Sequence, residues 1–168
     1  MARLLEVKNS MLNAISRLAA IVGVALIAVA PAFAQDGPTA EDLTLHPGDT
    51  ITWTPIGPHR VQFGGDDVTP FSEVETILES IEPELTANAD DVAGAPIGTV
   101  VTATVRADAA EGAQFNFTCG VHPAVMVTVP FVVGTAMEGQ EPRDVQIRSS
   151  GFAWVLEKDG GTVPLGAN

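Results

Sequence analysis

"FNFTCGVHPAVM", residues 115–126, decides how this chain folds and what it can hold, because it contains the single cysteine among 168 residues. Phe115, Phe117 and Cys119 alternate with Asn116 and Thr118. A period of two puts alternate side chains on one face of a strand, so Cys119 is expected inward, at a strand's end. His122 follows in a turn built from Gly120 and Pro123, and Met126 leads into a second strand, "VTVPFVV". Thiolate, imidazole and thioether so close together form a donor set suited to a soft transition metal.

The compartment makes the lone thiol more informative. Residues 1–34 carry Arg3, Lys8 and Arg17, then the uncharged run "LAAIVGVALIAVA", then Ala32 and Ala34 in a small-residue cleavage pattern. This is the layout of a secretory signal, with cleavage expected after Ala34. The apolar run falls short of the roughly 20 residues that a membrane span needs. The mature chain, residues 35–168, is sized for one domain, expected in the periplasm or outside the cell. Thiols there are normally paired, yet one cysteine cannot form an internal disulfide. Burial, reactivity, a bridge to another chain and metal binding are the uses left to it.

Charge removes other classes of function. Losing residues 1–34 takes three basic and one acidic residue from totals of 8 and 21, which moves the formal charge from -13 to about -15. Such a surface repels nucleic acid and anionic membranes. A zinc CxxC pair, a phosphate-binding glycine loop and a recognisable pair of catalytic carboxylates are all missing. Three histidines are too few for multicopper oxidase chemistry, so the chain is expected not to be an enzyme.

A second imidazole has two candidates. In "HRVQF" His59 shares a strand face with Val61 and Phe63, opposite Arg60 and Gln62, and it follows the stiff "PIGP" turn. His46 precedes "PGDT", a turn where histidine is usually solvated. His59 is preferred.

At this point "LTLHPGDTITW", "GPHRVQF" and "FTCGVHPAVM" followed by a valine-rich strand resemble the signature stretches of the cupredoxins, small blue copper proteins of the plastocyanin, amicyanin and azurin type. The resemblance spans about residues 42–64 and 99–133. It implies an all-β, Greek-key β-sandwich holding one type 1 copper, with His59, Cys119 and His122 as trigonal ligands and Met126 as the long axial one. That ligand set matches the electron-transfer copper site expected from donor softness. It also implies redox partner proteins, such as a cytochrome, an oxidase or a reductase, docking near His122 on an apolar patch of Pro55, Ile56, Pro58, Val121, Pro123 and Ala124. A copper-holding or delivery protein and a metal-free module of the same fold are the alternatives.

Three departures accompany the resemblance. Many relatives place methionine one residue earlier, at Val125, with Met137 a poor substitute for Met126. Arg60 stands where a small polar residue usually ties the two ligand loops. Only residues 35–41 precede the first signature stretch, so the hairpin "RDVQIRSSGFAWVLEKDGG", residues 143–161, is a candidate for the missing edge, in the same molecule or by swapping. Its Phe152, Trp154 and Leu156 share a parity. Between the first two stretches, Ser72 and Glu75 read as a capping box, and Val74, Ile77, Leu78 and Ile81 predict a short amphipathic helix in an inserted loop. "ANADDVAGAPIG", residues 87–98, reads as a flexible connection.

Overall fold

The computed structural model describes residues 37–166; the expected signal and its cleavage point at Ala34 lie outside the described residues. The described chain is all-β with one short helical turn, and its strands enclose a single apolar core.

Alternation in the sequence becomes alternation in burial. In β2 (Thr50–Thr54) Ile51 and Trp53 are buried while the threonines are half-buried. In β6 (Val101–Val105) Val101, Ala103 and Val105 are buried. The two strands pair antiparallel, Ile51 opposite Ala103 and Trp53 opposite Val101, so one face of the pair lies in the core. β10 (Asp144–Ser150) runs parallel to β2 on its other side, followed outward by β11 (Ala153–Lys158) and β12 (Gly161–Pro164). Residues 143–161 thus supply β10 and β11 to this sheet. Asp49, 2 % exposed, holds the junction by accepting hydrogen bonds from the backbone N–H groups of His46 and Arg143 and from the Arg143 guanidinium.

Two three-stranded sheets complete the core. One sets β1 (Thr44–Leu45) parallel to β9 (Phe131–Val133), which pairs with β7 (Gln114–Phe115) on its far side. The other sets β3 (Val61–Phe63) between β5 (Ala93–Gly94) and β8 (Thr118–Cys119). Phe117 lies where the chain passes from one of these sheets to the other. Its ring meets Trp53, Phe63, Phe131 and Trp154.

Three expectations need correction here. The predicted amphipathic helix is only α1 (Phe71–Val74); Leu78 and Ile81 belong instead to strand β4 (Leu78–Glu82), paired with β6. The open edge of β6 offers ladder hydrogen bonds, and Ser80 at φ 52° takes a conformation that no α-helix accommodates. Ser72 does not cap the turn, which begins at Pro70; its N–H and hydroxyl bond the Asp91 carboxylate at 3.0 and 2.5 Å. Residues 87–98 are bonded rather than free: Asn88 Oδ1 accepts from the N–H groups of Asp90 and Val92, and β5 within this stretch pairs with β3.

The far end of β11 is tied to the segment before β1 by Lys158 and Asp42, whose carboxyl is lowered from 3.8 to about 2, chiefly by the lysine's hydrogen bond. A carboxyl lowered on folding adds stability above its ordinary pKa and loses it as pH falls through the folded value. Lys158→Met is therefore expected to be only slightly less stable near neutrality, because the lysine is half-exposed and solvent screens the pair. The deficit should fade below about pH 4 and vanish below about pH 2, which denaturant titrations across that range would check.

Candidate metal centre

Two neighbouring strands position the first two candidate ligands. β3 and β8 pair with Val61 opposite Cys119, so the cysteine ends its strand beside the start of the strand that His59 precedes. Cys119 is fully buried and His59 is 6 % exposed. The carbonyl of His59 accepts from Gly98 N–H at 2.8 Å, and that of Val61 from Ala95 N–H at 3.0 Å, so the stretch 87–98, expected to be a flexible connection, fixes the backbone at His59.

After Cys119 the chain turns back on itself. His122 N–H donates to the Cys119 carbonyl at 3.0 Å and Val125 N–H to the His122 carbonyl at 3.2 Å. Phe117 and Thr128 close the loop by three hydrogen bonds: both N–H groups and the Thr128 hydroxyl donate, at 3.0 to 3.1 Å. Both imidazoles then aim Nδ1 at one sulfur, His59 at 3.5 Å and His122 at 3.8 Å. Their ring centroids are 5.1 Å apart with planes inclined at 53°.

These separations suit an ion between the three atoms. Metal–sulfur and metal–nitrogen bonds of about 2.3 and 2.0–2.1 Å, opening at about 110–120°, set sulfur and nitrogen about 3.6–3.8 Å apart. All three donor atoms lie within 4.8 Å of one another, and no carboxylate joins the group among the described residues. Burial pushes the His59 pKa below its ordinary value, and the neighbouring His122 adds to this, while a backbone hydrogen bond at Gly151 partly opposes it. A lowered pKa keeps the imidazole neutral, the form that binds metal.

The other candidates separate cleanly. Met126 is 1 % exposed whereas Val125 is 64 % exposed, so the loop turns the thioether inward and the valine out. His46 is elsewhere, its Nδ1 2.6 Å from the Thr135 carbonyl oxygen, and Met137 lines a small surface hollow beside it. Arg60 does tie the two ligand segments, by its own means: the guanidinium donates to the Gly120 carbonyl at 3.4 Å and Gly120 N–H to the Arg60 carbonyl at 3.3 Å. A Cβ at Gly120 would stand 2.3 Å from Arg60 Nε, so a larger residue there would push the guanidinium aside.

Of the expected patch, Ile56, Pro58, Val121, Pro123 and Ala124 are exposed, but Pro55 is buried directly after β2. Val125 and Phe152 extend the exposed apolar surface. Phe152 does not follow Trp154 and Leu156 into the core. It sits in the turn before β11, 68 % exposed, with its ring edge-on to His122.

No protein-family model matches this chain, and no curated protein or solved structure is significantly similar to it.

Proposed function

We propose that the chain is an exported single-electron carrier of the cupredoxin type, a Greek-key β-sandwich holding one type 1 copper between His59, Cys119 and His122, with Met126 as weak axial ligand. The observation that carries this reading is the convergence of two imidazole Nδ1 atoms on one buried sulfur at 3.5 and 3.8 Å. Bound copper supplies the one-electron couple, cycling between Cu(II) and Cu(I).

The chain's own residues supply rigidity. Strand pairing holds Cys119, the bond from Gly98 N–H holds the His59 carbonyl, and the Phe117–Thr128 closure holds the loop that bears His122 and Met126. Donors that need not move between oxidation states keep the reorganisation cost low, and burial excludes water from the sulfur. A buried Cys119 also offers no approach to a substrate, which supports a carrier over a cysteine nucleophile. His122 is the half-buried ligand, rimmed by exposed Val121, Pro123, Ala124 and Val125, and it is the electron's exit toward a docked cytochrome, oxidase or reductase. Residues 119–126 and 149–153 contain no Asp or Glu, so a partner approaches an apolar face set in an otherwise acidic protein.

Voltammetry of the copper-loaded mature protein tests this reading together with X-ray absorption in both oxidation states. Reversible one-electron cycling with nearly unchanged copper–donor distances is expected. Release of copper on reduction would favour a delivery role, and no redox response at all would leave a metal-free module.

A further inference from the structure

The turn between β10 and β11 stands at the metal centre, although its sequence carries no ligand chemistry. Phe152 is too exposed for core burial to hold its ring, yet the ring meets His122 with centroids 5.1 Å apart and planes at 85°, an edge-to-face contact. Gly151, at φ 60°, turns its backbone to the ring of His59. Behind the turn, buried Ser149 joins β10 to the segment entering His59: its hydroxyl accepts from Ile56 N–H at 2.6 Å and donates to the Ile56 carbonyl at 3.2 Å.

We infer that this turn caps the metal centre: Phe152 is a positioning residue that holds the His122 imidazole toward the sulfur. The inference rests on the metal reading above. His122 rides on a loop and is only half-buried, so its ring has rotamer freedom to lose when it binds an ion. An aromatic edge that fixes the ring beforehand lowers this cost. The C-terminal hairpin, by this account, is part of the binding site as well as part of the sheet.

Phe152→Ala and Phe152→Tyr in the mature protein test the inference. Cu(II) affinity would be measured by competition against a chelator of known strength, beside the thermal midpoint of each metal-free protein. An aromatic edge contact corresponds to about a two- to tenfold change in affinity. Phe152→Ala is expected to bind Cu(II) more weakly by that factor, Phe152→Tyr to restore it, and the metal-free midpoints to coincide, because the ring is mostly exposed. Unchanged affinity in the alanine variant overturns the inference. So does failure of tyrosine to restore it, or a matching loss of metal-free stability, which would mark ordinary packing. A wild-type protein that binds no Cu(II) overturns the metal reading itself, and the cap with it.

Discussion

Cys119→Ser is expected to abolish the thiolate-to-copper absorption and to weaken Cu(II) binding by more than the roughly 10–100-fold that loss of an outer-shell partner costs. The reason is electronic and geometric at once. The sulfur is the one atom toward which both Nδ1 atoms point, and a hydroxyl is a harder, less covalent donor. The metal-free fold should survive. Serine is nearly the size of cysteine, and burying its hydroxyl at this fully buried position should cost no more than about 1–3 kcal/mol. Copper titrations of both proteins, alongside denaturant curves of the metal-free forms, separate the two effects. A variant that keeps the wild-type spectrum would contradict the assigned ligand.

Phe117→Ala is expected to produce the largest loss of stability, about 3–5 kcal/mol, against the 5–15 kcal/mol that holds a typical domain together. The ring is fully buried, with centroids 5.3 Å from Trp154, 5.6 Å from Trp53, and 6.4 Å from both Phe63 and Phe131. Those four belong to strands of all three sheets, so no single strand can relax to fill the space. The bonds of Phe117 to Thr128 run through its backbone and remain in the alanine variant, so the closure of the loop is kept while the core loses its ring. A loss below about 1 kcal/mol in urea unfolding would show that the core closes around the cavity after all.

The centre was legible in the sequence because its information is local. Period-two alternation put His59 and Cys119 inward, and a short turn brought His122 back to the sulfur. What remained hidden depends on contacts between distant parts of the chain. Val74, Ile77, Leu78 and Ile81 satisfy helical spacing, yet the exposed edge of β6 draws the second half of that stretch into β4. Tertiary pairing overrides local propensity there. Residues 87–98 look structureless, and only their bonds to His59, Val61 and Ser72 reveal them as the support of a ligand strand. Phe152 shares parity with Trp154 and Leu156 yet stays exposed, because the strand begins one residue later, at Ala153. The turn's place beside both histidines follows from β10 lying against β2, a pairing that no short window of sequence encodes.

The most direct test of a type 1 copper centre is stepwise addition of Cu(II) to metal-free residues 35–168, followed by visible absorption and paramagnetic resonance. The expected result is an intense thiolate-to-copper band that saturates at one equivalent, with the narrow copper hyperfine splitting of a covalent copper–sulfur bond. A colourless protein, or a weak band that keeps growing past one equivalent, would contradict a mononuclear thiolate site and with it the electron-carrier account.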